Sequence, residues 1–347
     1  MRKLASIQEI KKIEKIEGAD NIELAFVLGW QVVVNKGKYK EGDLAVFFEV
    51  DSFLPVCEEF EFLRKTCYKN THYLGEGFKL RTVKLRGVLS QGLLERIDTF
   101  KQLDKTLNVG DDVTDILNVK QWQIEEVATT SGNICGVLPA SIPHTDEIRI
   151  QTEPKLLEEF ANKNYYISTK MDGSSHSIGI DSNGFHVCGH NYEYKDDGHC
   201  SFYEWVNDRK LREKITNYYR ENHLDSFVIQ GEFCAPGIQK NRLKLIKPQW
   251  YVFTIIINNK RVSLESMINI CKYLDIENVP IEEIGYNLPA KYPDIESLLQ
   301  RADGEYPNGG KKEGIVIRTT TPEFCKIISA PLSMKVINNN YLLKNED

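Results

Sequence analysis

No stretch of this 347-residue chain stays apolar long enough to cross a bilayer; the longest candidate runs only from Tyr251 to Ile257, so the chain is read as soluble, with no membrane partner. The eight cysteines are scattered and form no Cys-x-x-Cys pair. The opening Met1-Arg2-Lys3-Leu4-Ala5 lacks the apolar run of a secretory leader, which makes a reducing, intracellular setting the default. Neither a Gly-x-x-x-x-Gly-Lys-Ser/Thr loop nor a dinucleotide-type glycine turn occurs, which removes the commonest nucleotide folds. Repeats and low-complexity tracts are absent. So is an excess of basic residues: the formal net charge of -6 argues against indiscriminate polyanion binding, though it leaves room for a local basic groove.

What is present suits two domains, since a chain of this length exceeds what one hydrophobic core usually serves. In the N-terminal third, Ile22 to Leu28, Gln31 to Asn35 and Leu44 to Val50 are apolar or β-branched runs. Gly29, Lys36-Gly37 and Glu41-Gly42-Asp43 break them, so a small closed antiparallel barrel is expected. The run Phe78 to Arg86 interleaves basic with apolar residues, and one strand could line up Lys79, Arg81, Lys84 and Arg86 along a phosphate backbone. The bland alternative is a solvated barrel surface. Between Val119 and Ser141 the strand pattern fades, and Thr129-Thr130-Ser131-Gly132-Asn133 reads as a linker. Beyond it, helical spacing at Leu156 to Asn162, Phe202 to Asn222 and Leu264 to Leu274 alternates with strands, an α+β pattern of antiparallel sheets flanked by helices.

The chemistry starts at Lys170-Met171-Asp172-Gly173, which ends the strand-like stretch Tyr165 to Thr169. A lysine that accepts a nucleotidyl group has to leave a strand, face the α-phosphate and carry a lone pair, and a glycine permits the tight turn that follows. A surface lysine opening an Asp-Gly turn would look the same. Further along, Glu232 lies in the run Phe227 to Phe233, Glu313 heads Gly314 to Arg318, and Lys335 begins the last apolar run. The order lysine, acids, lysine is what nucleotidyl transfer to an amine requires.

On these motifs, together with Tyr251-Val252-Phe253, the chain resembles the covalent nucleotidyltransferases, the polynucleotide ligases and capping enzymes. It looks most like the ATP-dependent RNA ligases with an N-terminal OB domain, typified by the Deinococcus and Naegleria enzymes. Longer strings carry the resemblance: Pro143-His144-Thr145-Asp146-Glu147-Ile148-Arg149, Gly237-Ile238-Gln239-Lys240-Asn241 and Ser333-Met334-Lys335-Val336-Ile337-Asn338. It implies an OB fold over residues 1–130, a nucleotidyltransferase domain over 137–347, ATP with magnesium or manganese, and sealing of 5′-phosphate and 3′-hydroxyl RNA ends, as at a nick in duplex RNA, in RNA repair. Lys170 is then the nucleophile that becomes lysyl-AMP. Asp172, Glu232 and Glu313 hold the metal, directly or through water, and Lys335 contacts phosphate. Arg149, Ser168, Thr169, Asn191, Phe253 and Lys326 bind ATP, with Phe253 stacking on the base. Lys240 and Arg242 join the N-terminal cations in gripping RNA, helped by Lys244, Lys247, Trp250 and Tyr251. One departure stands out: His190-Asn191 occupies a place where such ligases usually have Arg-Asn. A DNA ligase, or a non-catalytic OB-type nucleic-acid binder, is the alternative. Oligomeric state is not legible. Burial and a nearby cation are expected to lower the Lys170 pKa from about 10.4. Zinc at His176, His186, Cys188, His190, His199 and Cys200 is disfavoured, because their spacing does not match structural sites.

Overall fold

The computed structural model describes residues 2–104, 106–122 and 134–345. They divide into two compact units: one formed by the N-terminal residues with Gln151–Pro154 and the last few of the chain, the other by residues up to Ile150 that follow them and by Lys155–Tyr341. The expected linker Thr129 to Asn133 lies outside the described residues. On either side of it, short strands at Lys120–Gln121 and Ile134–Val137 occupy a region where the sequence pattern suggested none.

In the N-terminal unit the β-branched runs become Ile22–Val27, Trp30–Asn35 and Leu44–Phe48. The first two pair antiparallel through Leu28-Gly29, and Leu28 takes a left-handed φ of 51° to close the turn. Trp30, Val32 and Val34 point inward while Gln31 and Val33 are only half buried, the period-2 alternation of a one-sided sheet. Phe48, Phe60 and Phe100 pack edge to face or tilted, with ring centroids 5.3 to 5.8 Å apart, at the centre of a second cluster. The expected basic stripe does not form on one strand. Lys79 ends Gly75–Lys79, Arg81 lies in the connection, and Lys84 belongs to the hairpin Thr82–Leu85/Val88–Gln91. Arg86 and Gly87, with φ of 48° and 87°, make the tight turn. Leu80, buried under the sheet, ends the extended run, so the cations fall on separate elements.

The C-terminal unit is built on two sheets, antiparallel except where Glu277–Asn278 runs parallel to Gln249–Ile257. In the larger, Ser174–Asp181, Phe227–Cys234 and Gln249–Ile257 are neighbours, backed by helices at Ser201–Asp208, Leu211–Glu221 and Leu264–Leu274. The single helix expected from Phe202 to Asn222 is split by Lys210, which takes a left-handed φ of 54°. The helix expected from Leu156 ends at Glu159. The smaller sheet runs Ile281–Tyr286, Asn164–Lys170, Gly314–Thr319, Ser333–Ile337. Its outer face, with Ile167, Ile315, Ile317, Met334 and Val336, packs under a helical layer that includes Leu156, Leu288 and Leu298. Met171-Asp172-Gly173 carries the chain from the smaller sheet to the larger.

Candidate functional site

Strand register builds the site. Ser168 and Lys170 alternate with buried Ile167 on one strand, Val316 pairs with both Ser168 and Lys335, and Arg318 pairs with Tyr166 and Ser333. Side chains two apart share a face, so Ser168, Lys170, Val316, Arg318 and Lys335 all line one pocket of about 180 Å³. The larger sheet contributes Ser175 and Glu232, which are partners in register. Phe253 reaches the pocket through an irregularity: Gln230 pairs with Thr254 and Gly231 with Val252, so Phe253 is the extra residue of a β-bulge. A bulge re-aims a side chain in this way, and period-2 reading cannot foresee it. Gly173 allows the sheets to meet at the lysine turn, because a Cβ there would lie 2.5 Å from the Phe233 carbonyl oxygen. Close approach, and not a left-handed backbone, is what this glycine supplies.

Lys170 Nζ donates to Glu313 Oε2 at 2.8 Å. Burial alone would lower the amine, but Glu313, Glu232 and Asp172 outweigh it and hold the amine above its ordinary value. Burial thus acts in the expected direction, but among the protein's own groups the three acids outweigh it. Glu232 accepts from the Gly173 amide at 3.2 Å. Its carboxyl is pushed up to about 7, first by burial and then by Glu313 and Asp172, against the pull of Lys170. The carboxylates around Lys170 offer oxygen donors of the kind a hard cation takes. No group of three His, Cys, Asp or Glu side chains forms a direct cage among the described residues. Carboxylates that reach an ion partly through water suit magnesium, which keeps several of its waters.

The raised Glu232 carboxyl makes a pH prediction. Relative to its ordinary 4.5, the folded protein retains a proton that the unfolded chain has lost, so stability falls as pH rises from about 4.5 through about 7. Without metal, Glu232→Gln is expected to stabilise the protein above pH 7 by on the order of 2–3 kcal/mol and to change little near pH 4.5. Thermal melts in chelator at the two pH values check this; a difference independent of pH would show that the carboxyl is not strained.

The structure brings Lys170, Glu232, Ser168, Phe253 and Lys335 to the pocket, with Glu313 paired to Lys170 at its edge. Thr169 also lines it, though its hydroxyl donates to Glu282 at 2.8 Å. Asp172 does not line it. Its two oxygens accept from Arg242 at 2.5 Å and from the Tyr341 hydroxyl at 2.9 Å. Arg242 also stacks over the Tyr341 ring at 4.8 Å. Arg149 is buried behind the pocket on a segment bridged to Lys335, and Asn191 follows the pocket-lining His190. Lys326 is exposed on the turn between Phe324–Cys325 and Ala330–Pro331, away from the pocket lining. Lys240 is exposed; of the two aromatics expected beside that basic loop, Trp250 is fully buried core and Tyr251 is half buried. Of the histidines and cysteines weighed for zinc, His176 packs on Phe202 at 4.4 Å and His186 sits between Glu193 and Asp181 at 2.7 and 3.3 Å.

Sequence reading missed Arg318 and Glu147. Arg318, buried, donates to Glu147 at 2.5 Å, to Thr254 Oγ1 at 3.1 Å and to the Phe253 carbonyl, and its guanidinium lies 5.7 Å from the Phe253 ring centre. Burial opposes ionisation of Glu147, but Arg318 and then Arg261 hold its carboxyl below the usual range. The available signal was a lone charge in the apolar strand Gly314–Thr319.

A lysine amine among carboxylates, in a cavity walled by further cations and an aromatic ring, is equipped for nucleophilic attack on an anionic substrate. Residues 4–97 match an OB-fold domain, and residues 163–337 match the RNA ligase family. The whole chain superposes on Naegleria gruberi RNA ligase with PPi at a TM-score of 0.88, with 31% identity and 100% of both chains covered. A variant of that enzyme with AMP and Mn gives 0.87 at 31% identity, again over 100% of both chains. Another, with ATP and Mn, gives 0.86 at 30%, covering 100% of this chain and 98% of that one. No curated protein matches the sequence. The chain belongs to the RNA ligase family, with an OB fold ahead of its ligase domain.

Proposed function

We propose that this ATP-dependent RNA ligase joins a 5′-phosphate end to a 3′-hydroxyl end, as at a nick in duplex RNA, through a lysyl-AMP intermediate, in RNA repair. The supporting observation is Lys170 at the junction of two sheets, 2.8 Å from Glu313 and facing a pocket that also holds Glu232 and Lys335. Lys170 Nζ, once deprotonated, attacks the α-phosphorus of ATP; an N–P bond forms as the P–O bond to pyrophosphate breaks. The AMP then passes to the RNA 5′-phosphate, and the 3′-hydroxyl displaces it to seal the strand. A magnesium or manganese ion held by Glu232 and Glu313, partly through water, would neutralise phosphate charge. The solved relatives with Mn are consistent with such an ion. Lys335, with Arg149 behind it, receives the phosphates, and Phe253 offers its ring to the base. Asp172 orders the lysine turn through Arg242 and Tyr341.

Residues 1–130 are read as the RNA-holding OB module and 137–347 as the adenylylating domain. Incubation with labelled ATP and magnesium, then denaturing electrophoresis, tests the reading: label on the protein is expected, and no label would overturn it. The exposed cations of the N-terminal hairpin give a second measurement. Replacing Lys84 and Arg86 by alanine is expected to leave self-labelling unchanged and to flatten the salt dependence of RNA binding, by a slope of about 2 if each contacts one phosphate. An unchanged slope would remove that hairpin from the RNA grip.

A further inference from the structure

We infer that Tyr306 is a positioning residue for the lysine nucleophile, its hydroxyl locking the backbone of Lys170 to that of Glu313. This rests on the ligase reading and adds to it a residue outside every motif that carries the reading. The hydroxyl donates to the Lys170 carbonyl at 2.7 Å and accepts from the Glu313 amide at 3.1 Å. Lys170 and Gly314 are the last partners in register between their strands; beyond them Met171 departs for the larger sheet. The tyrosine oxygen therefore ties the strands together just where the ladder stops, between the residue that carries the amine and the residue that carries its carboxylate partner.

The rest of Tyr306 is arranged to hold that oxygen still. The residue is 3% exposed, and its cluster consists of Met171, Cys234, Leu243 and Val279. Its backbone is pinned in a tight loop, Tyr306 N to Gly310 O at 2.7 Å and Gly309 N to Tyr306 O at 2.8 Å, and Asn308 Nδ2 ties the loop to the Leu243 carbonyl at 2.9 Å. In so apolar a cluster a phenylalanine would fill the same volume. The hydroxyl adds the bridge, and attack on phosphorus is sensitive to displacements of about 1 Å in the attacking atom.

The test is Tyr306→Phe in the full chain. Self-adenylylation at saturating ATP is expected to slow by roughly tenfold to a hundredfold, with the KM for ATP unchanged. Sealing of RNA that already carries a 5′-adenylate needs no attack by Lys170, and is expected to stay within about twofold of wild type. The melting temperature is measured alongside. Labelling of the variant at the wild-type rate would overturn the assignment. So would a parallel loss of labelling and pre-adenylylated sealing together with a lowered melting temperature, which marks a residue needed for the fold. A wild-type chain that takes no label would overturn the ligase reading itself, a result separate from either.

Discussion

Lys170→Ala is expected to reduce transfer of label from ATP to the protein by more than about 10³-fold, to background, because no other amine in the pocket meets the geometry of the nucleophile. Lys335 lines the same pocket, but it lies two strands away, paired with Val316. Beyond the loss of chemistry, the variant leaves Glu313 and Glu232 facing each other without the ammonium that both feel. The Glu232 carboxyl, freed of the pull of Lys170, then rises further, so the variant should melt below wild type at pH 8 and approach it near pH 5, where a proton replaces the lost cation. Gel labelling and melts at the two pH values check both parts. Retained label would mean that another residue carries the AMP.

Arg318→Ala is expected to cost about 3–5 kcal/mol of folding stability, the penalty for removing one partner of a buried pair. Arg318 is 4% exposed, and its loss leaves the buried Glu147 carboxylate with the Ser333 hydroxyl but without its guanidinium partner, and takes a donor from Thr254 Oγ1. Against a typical total of about 5–15 kcal/mol, that is a large fraction. Glu147→Gln combined with Arg318→Met should recover much of the loss, since replacing both charges with groups of similar volume is often close to neutral. Urea denaturation of wild type, the singles and the double closes the cycle. Additive losses would show that the two charges are not coupled.

That Lys170, Glu232 and Lys335 reach one pocket, with Glu313 beside the lysine, was legible from the order of their motifs and from the longer strings that carry the resemblance, since Lys170-Met171-Asp172-Gly173 alone would also fit a surface turn. The helix Leu264–Leu274 was legible because its apolar spacing is long and regular. What escaped notice depends on contacts across the chain. Arg318 meets Glu147 over 171 positions, Tyr341 meets Asp172 over 169, and Tyr306 meets Lys170 over 136. No local pattern announces such pairs. The basic run Phe78 to Arg86 misled because periodicity assumes one unbroken strand, whereas the chain bends after Lys79. That Asp172 accepts from an arginine and a tyrosine far along the chain was equally invisible to local pattern.

The alternation of faces in the smaller sheet limits how this protein can change length. Deleting one residue between Tyr165 and Thr169 would exchange the two faces of the strand, sending Lys170 toward Ile315 and Val336 and presenting an isoleucine to the nucleotide. Gly314 tightens the constraint, since a side chain there would meet the Val336 carbonyl oxygen at 2.1 Å, so the neighbouring strand has no slack with which to follow. Insertions and deletions should therefore be survivable in outlying turns, such as the one bearing Lys326, and lethal to activity here even where every residue of the motif is kept.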